Sequence, residues 1–461
     1  LFPACTMLRS RGSNLVRGLI ASSVPQRCAS KLASQDVGTP VVLVDACRTP
    51  FAKSGTDFTD MIAYDLGRIA FKSLVNRTGL DTSKVDYAFM GTVIQEAKTS
   101  NIARECLLGA GFPESVPAST TTLACISSNV AITSGINMIK SGNAKTVVCG
   151  GAETMSDVPI RLSRPIRKRL LDAVMFKKVK GGLPGYLKLL KGLGMKDIAP
   201  ELPAVAEFST GEVMGHSADR LCAKYAVSRA DQDAFAVRSH VSAAAAFKAG
   251  KLKDLTPVLA PKLVDCDNGV RGDSTFEGLQ KLKPAFIKPH GTVTAANASF
   301  LTDGASAALI MAESEAKAQG YKPVAYLRNY VYVAQDPREE LLLGPAYAIA
   351  KLLKQNNLTM NDIDVWELHE AFAGQVLANL NALDHEEFGK RCALGKKLGM
   401  IPMDKLNNWG GSVSIGHPFG ATGIRLTAHA ANRLVDEDKQ IALIAACAAG
   451  GQAVAALVER Y

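Results

Sequence analysis

The chain predicts an α/β fold with parallel strands, built from two similar halves. Three observations carry this. Short apolar strands rich in β-branched residues alternate with segments of helical spacing. The pattern Leu80-Asp-Thr-Ser-Lys-Val-Asp86, which precedes one strand, returns as Leu358-Thr-Met-Asn-Asp-Ile-Asp364 before another. After each copy come, in the same order, a reactive side chain, a helix, and a strand that ends in small residues and a Gly-Gly pair. With 461 residues, 47% of them hydrophobic, the chain can bury a large core.

The elements follow in order. Residues 1–36 hold Arg9, Arg11, Arg17, Arg27 and Lys31 among serines, with no acid before Asp36, the composition of a mitochondrial targeting segment. Val41 to Asp45 is a buried strand closed by a turn at Arg48-Thr-Pro50, Tyr64 to Asn76 a helix, and Val85 to Met90 the next strand. Cys125 precedes a small, apolar helix running to about Lys140, and Thr146 to Cys149 is the strand after it. A loop domain is expected as an insertion over about 156–290, dividing a first half, 37–315, from its own last strand; the second half is 316–461. In that second half an apolar strand ends at His369 with a helix from Ala371, a helix follows His417 to about Leu434, and Ile441 to Ala446 is a strand closed by Cys447.

Charge is concentrated. Of the net +10, the first 35 residues carry +5 and the segment Arg161 to Lys196 carries +10, so the remainder is mildly acidic. In Arg164-Pro-Ile-Arg-Lys-Arg169 and in Phe176 to Lys191 the cations alternate with Leu, Val, Phe and Tyr, which suits an amphipathic element on anionic lipid. A solvated loop is the plainer reading. Nucleic acid is disfavoured because no stacking platform accompanies the charge. Lys351 interrupts the best apolar run, Leu341 to Leu353, so membrane contact is expected to be peripheral. Ten scattered cysteines, without paired or metal-ligand spacing, point to a reducing compartment, no disulfide and no metal.

The chemistry lies in four blocks. Cys125, in Thr122-Leu-Ala-Cys-Ile-Ser-Ser-Asn129, stands where a loop becomes a helix, a place where a helix N-terminus and an imidazole can lower a thiol's pKa from about 8.5. His417, in Gly416-His-Pro-Phe-Gly-Ala-Thr-Gly423, occupies a turn too constrained for packing alone and suits a base or an oxyanion donor. His369, in Trp366-Glu-Leu-His-Glu-Ala-Phe-Ala373, ends its strand aimed at the same cleft, unless it is a satisfied core histidine. Cys447 opens Cys447-Ala-Ala-Gly-Gly-Gln452, whose small residues let a ligand approach backbone N–H groups. Either cysteine standing alone would read as core.

Together these blocks resemble the thiolase family over nearly the whole chain, from about Val41 to Tyr461. Val293-Thr-Ala-Ala-Asn-Ala-Ser-Phe-Leu-Thr-Asp-Gly-Ala-Ser306 and Ser228-Arg-Ala-Asp-Gln-Asp233 are similar to further segments of that family. The resemblance implies a duplicated αβαβα layered fold with an inserted loop domain. It implies Cys125 as the nucleophile that is acylated, His417 as the group that activates it, and Cys447 as proton donor and acceptor. His369 and His417 would form one oxyanion hole, the N–H groups of Cys125 and Ala449 the other, and Ser299 would lie along CoA. CoA is then substrate, and no cofactor is bound permanently. Two departures matter: His369 stands where most of the family has Asn, and the closing turn carries Ala448 and Ala449. The histidine and the basic insert narrow the resemblance to the long-chain mitochondrial 3-ketoacyl-CoA branch, a homodimer assembled with an α subunit of hydratase and dehydrogenase activity on the matrix side of the inner membrane. The insert then becomes a membrane surface, cardiolipin included, or a partner surface.

Three other readings stand beside this one. An acetoacetyl-CoA-type enzyme would share the site. A condensing enzyme shares a Cys-His-His set but needs no second cysteine. A catalytically silent lipid-binding scaffold would have no use for two cysteines and two histidines.

Overall fold

Val41–Arg48 (β1) is buried on both faces, because Val41, Leu43 and Ala46 enter one apolar cluster while Val42, Val44 and Cys47 enter another. A strand so placed must lie inside a layered molecule. The computed structural model describes Leu32, residues 38–177, 184, 191–201, 203 and 206–461. The chain forms two compact units, Leu1–Gln35 and Asp36–Tyr461, and all the described strands and helices belong to the second. The expected targeting segment, apart from Leu32, and most of Phe176 to Lys191 lie outside the described residues.

In chain order the first half contains β2 (Ala52–Lys53), α1 (Ala63–Thr78), β3 (Tyr87–Gly91), α2 (Ile102–Gly109), β4 (Ala118–Thr121), α3 (Ser127–Lys140) and β5 (Thr146–Glu153). A long excursion then carries α4 (Arg164–Val174), α5 (Met214–Lys224), α6 (Arg229–Lys248) and the hairpin of β6 (Val258–Ala260) and β7 (Lys262–Val264). The chain returns in β8 (Thr302–Ala312) and continues with β9 (Ala325–Ala334), α7 (Gly344–Gln355), β10 (Val365–Leu368), α8 (Ala373–Leu383), α9 (Ser412–Ile415), α10 (Thr422–Asp436), β11 (Ile441–Ala448) and β12 (Gln452–Arg460). Helix α6 starts at the Ser228 capping box, where Ser228 Oγ accepts from Asp231 N at 3.1 Å.

Strand order across the large sheet is β10-β11-β12-β9-β1-β8-β5-β3-β4. The duplication is visible in the pairing. In the first half β3 and β5 are parallel, and β8 pairs antiparallel with both β5 and β1. In the second, β10 and β11 are parallel, and β12 pairs antiparallel with both β11 and β9. The halves meet at β1 and β9, antiparallel through Val42↔Tyr326 and Leu43↔Ala325. Even the sequence echo has its structural counterpart: Thr82–Lys84 and Met360–Asp362 each form one 3₁₀ turn ahead of β3 and β10.

Residues from α3 and α10 share one buried cluster with both sets of strands, whereas α1 and α2 cover the opposite face of the first set. These two inner helices are hydrophobic enough to be enclosed, and their N-termini come together. Gly423 of α10 permits this, since a Cβ there would lie 2.2 Å from Asn129 Oδ1. Ile424 N donates to Ser128 Oγ at 3.3 Å across the same contact. The segments that precede α3 and α10 hold Cys125 and His417. Among the described residues, no helix is long and apolar enough to cross a membrane.

Candidate active site

Cys125 is delivered by a strained turn. Strand β4 ends at Thr121, Ala124 adopts φ +43°, and α3 begins at Ser127. A non-glycine residue in that region costs free energy, so the turn must be fixed by its neighbours. Ser127 fixes it: its hydroxyl donates to Ala124 O at 2.6 Å and accepts from Leu123 N at 2.8 Å. Cys125 is left 8% exposed.

Cys447 is the penultimate residue of β11, fully buried, and lies close enough to Cys125 that a charge on Cys125 would raise its pKa. Beyond it the chain reverses through Gly450 (φ +81°) and Gly451 (φ +67°). This reversal turns the Ala449 N–H onto the Cys125 sulfur. Glu207, from the excursion between β5 and β8, holds the same turn, accepting from Gly450 N at 3.1 and 3.0 Å.

Both histidines are buried, with ring centroids 4.1 Å apart. His369 follows β10 and is anchored by its N–H to Ala445 O at 2.8 Å. The helix expected from Ala371 begins at Ala373, because Phe372 is still extended. The His369 Nδ1 is 3.0 Å from Ser412 Oγ, which also accepts from Arg425 Nη2 at 2.7 Å. His417 is held through its backbone N–H by Thr302 Oγ1 at 3.0 Å, and its Nδ1 is 2.6 Å from Thr422 Oγ1. The Thr422 hydroxyl donates to Pro418 O at 3.0 Å, so its oxygen accepts the Nδ1–H and leaves a lone pair on Nε2. The Nε2 atoms of both rings are buried without a protein partner. Two such atoms side by side mark the place where a ligand oxygen would complete them.

Glu153 joins the thiol and the imidazole segments. This buried carboxylate accepts from Val93, Ile94 and Gly420 N–H at 3.1, 2.9 and 3.0 Å, and its charge opposes ionisation of Cys125. Burial pushes Glu153 up to about 7 despite those bonds. Ser299, partly buried, donates its N–H to Ala371 O at 2.9 Å and so lies beside the loop that follows His369.

Electrostatics depart from the expectation of a lowered thiol. Burial pushes Cys125 up to about 12, against the opposing Ala449 N–H, and pushes Cys447 well above the usual thiol range. Burial, then the Arg425 charge, hold His417 down to about 3; burial, then His417 and Arg425, hold His369 well below its ordinary value. The resting site is a set of neutral groups.

Sequence reasoning singled out the four chemical side chains and Ser299, but not Glu153, Glu207, Ser412, Thr422 or Arg425. Only Glu153 had a local signal, since it closes a buried strand after Gly150 and Gly151. Among the described residues no His, Cys, Asp and Glu cluster is arranged to hold a metal ion.

Comparison with known proteins bears on the whole chain. The family profile "Thiolase, N-terminal domain" matches residues 41–314, and "Thiolase, C-terminal domain" matches 321–460. A Caenorhabditis elegans protein described as a probable 3-ketoacyl-CoA thiolase is 57% identical over 452 residues, covering 97% of this chain and 100% of that protein. The human mitochondrial trifunctional enzyme subunit beta is 54% identical over 444 residues, covering 96% of this chain and 92% of its own. The crystal structure of human mitochondrial 3-ketoacyl-CoA thiolase in complex with CoA superimposes with a TM-score of 0.77 at 30% identity, covering 92% of this chain and 98% of that one.

Proposed function

The chain belongs to the thiolase family of acyltransferases, and from that premise we propose that it cleaves 3-ketoacyl-CoA with CoA to acetyl-CoA and an acyl-CoA two carbons shorter. The observation that carries this reading is Cys125, facing the Ala449 N–H with a second buried thiol beside it.

The steps follow from the geometry. His417 Nε2 takes the Cys125 proton as the sulfur attacks the 3-keto carbon. The oxygen of that carbon gathers charge against the N–H groups of Cys125 and Ala449. When the carbon–carbon bond breaks, its electron pair passes into the thioester as an enolate, whose oxygen faces the Nε2 atoms of His369 and protonated His417. Cys447 gives its proton to the enolate carbon, and acetyl-CoA leaves. The Cys447 thiolate then takes the proton of CoA, whose sulfur attacks the Cys125 thioester. The shortened acyl-CoA departs, and Cys125 recovers its proton from His417. A difficult cleavage is thus divided into two acyl transfers. Neutral resting groups suit this scheme, because charge appears only when a carbonyl is present to receive it. Ser299 lies along the CoA arm in this reading. Cys447, a second buried thiol close to Cys125, weighs against the condensing-enzyme and scaffold readings.

The likeness to a mitochondrial trifunctional enzyme subunit beta supports placement in fatty acid β-oxidation in the mitochondrion, directed there by residues 1–36. That relative's description as a subunit beta also supports an α-subunit partner; the homodimer, the hydratase and dehydrogenase steps on that partner, and the matrix face of the inner membrane are part of the proposal through the family resemblance alone. The division into 37–315, with a loop domain at about 156–290, and 316–461 belongs to the same reading. Lipid contact is supported by α4 and its exit, where Leu170, Leu171, Val174, Met175 and Phe176 are exposed among Arg164, Lys168 and Lys177. Apolar side chains flanked by cations fit an anionic, cardiolipin-containing surface.

The deciding experiment follows CoA-dependent loss of 3-ketoacyl-CoA absorbance with short- and long-chain substrates, for the protein and for Cys125→Ala. Activity that needs Cys125 and favours the long chain supports the proposal. Equal rates in the two proteins would refute it, and a short-chain preference would move the protein to the acetoacetyl-CoA type.

A further inference from the structure

Two adjacent imidazoles with identical surroundings would be poor partners, since each would compete for the same role. Here the groups behind the two rings differ. Thr422 Oγ1 accepts a hydrogen bond from His417 Nδ1–H, which leaves the Nε2 of that ring basic. Around His369 the polarity is reversed. The Arg425 guanidinium can only donate, and it gives one N–H to Ser412 Oγ at 2.7 Å. Among the described residues the Ser412 hydroxyl has no other acceptor for its single proton, which therefore points to His369 Nδ1, 3.0 Å away. A neutral imidazole accepting at Nδ1 must carry its hydrogen on Nε2, the atom left without a protein partner.

We propose that Ser412, oriented by Arg425, is the positioning residue that fixes His369 as a permanent Nε2–H donor, so that His369 and His417 hold opposite tautomers. Ser412, Arg425 and His369 are all buried, so the relay is sheltered from bulk solvent. Arg425 itself leaves Nε and Nη1 without hydrogen-bond partners, its nearest carboxylate being Glu367 at 3.9 Å, so its one good bond goes to Ser412. The assignment divides the labour at the site: His417 moves the proton, while His369 meets the enolate oxygen with a hydrogen already in place. Without the Ser412 hydroxyl, the His369 proton is free to move to Nδ1, and a lone pair then confronts the forming enolate.

The inference rests on the thiolase reading, and two partial reactions of acetyl-CoA separate them. Exchange of its methyl hydrogens with D₂O needs the enolate and the histidine pair. Exchange of its CoA with labelled free CoA needs Cys125, His417 and the backbone N–H groups, but passes through no enolate and so does not call on the His369 donor. Ser412→Ala is expected to slow methyl exchange and overall cleavage by about 10- to 100-fold while CoA exchange stays within about two-fold. Ser412→Thr is expected to restore methyl exchange to within about three-fold. In a His369→Asn background, where an amide donates without any tautomer, Ser412→Ala should cost nothing more. Methyl exchange at the wild-type rate in Ser412→Ala, an equal fall in both exchanges, or an undiminished cost in the His369→Asn background would each overturn the assignment. A wild-type protein that performs neither exchange would refute the thiolase reading itself.

Discussion

Cys125 rests as a neutral thiol with the Cys447 thiol close by. Burial pushes its pKa up to about 12, so the thiol form dominates at pH 8. Iodoacetamide should therefore modify Cys125 far more slowly than the exposed Cys266, as peptide mapping after a short pulse would reveal. Cys125→Ala is expected to abolish the acyl-enzyme and lower cleavage by about four orders of magnitude or more. Intact-mass detection of an acyl adduct in that variant would contradict its role. Cys447→Ala should still acquire the adduct in a single burst, with turnover reduced about 10²- to 10⁴-fold; normal steady-state cleavage would reject it as the acid and base. These side chains were legible in the sequence because covalent and proton-transfer chemistry demands particular residue types in small-residue turns. Ser412, Thr422 and Arg425 were not, since a serine, a threonine and an arginine acquire a role only from what lies across space from them. The raised pKa of the Cys125 thiol was hidden for a related reason: a helix start is visible in sequence, but the completeness of the enclosure is not.

Turns that bring strands and helices together at the site allow no extra atoms. A Cβ on Gly151 of β5 would sit 1.9 Å from Gly420 O, in the segment that carries His417. Gly151→Ala should therefore destabilise the protein by about 1–3 kcal/mol and lower activity beyond any loss of folded protein. Thermal unfolding and kcat at a temperature where both proteins are folded would check this. The α4 segment carries the opposite kind of prediction, a surface change that spares chemistry. Removing Arg161 to Lys196 should reduce co-sedimentation with cardiolipin vesicles, and undiminished binding would reject lipid contact. Most of the elements named from the sequence are legible within two or three residues, because apolar periodicity and turn residues are local properties. Strand β5 runs four residues further than expected, to Glu153, since Gly150 and Gly151 look like a stop although they are paired in the sheet. The mixed direction of the sheet was also hidden: β8 and β12 run antiparallel to their neighbours, and alternation of helix and strand does not record direction.

Across the whole molecule, stability and site share the buried Glu153. Its pKa is raised to about 7 from 4.5, so the folded state holds this proton where the unfolded chain has released it. The associated stability is complete below pH 4.5 and is lost as the pH rises through 7, by up to about 3 kcal/mol. Glu153→Gln should remove that pH dependence: the stability difference between variant and parent, measured by urea unfolding, is expected to move in favour of the variant between pH 5 and 8. A constant difference would show that Glu153 is not protonated in the fold. At this scale too, the seam between β1 and β9 has a bearing on the chain's early life. Cys125 and Ser299 come from one side of it, His369, His417 and Cys447 from the other. A newly made chain with only its first half in order would hold Cys125 without either histidine, and one with only its second half would hold both histidines and Cys447 without Cys125. Under the proposed mechanism neither half alone could form the Cys125 thioester, so the reactive machinery is armed only by the event that completes the protein.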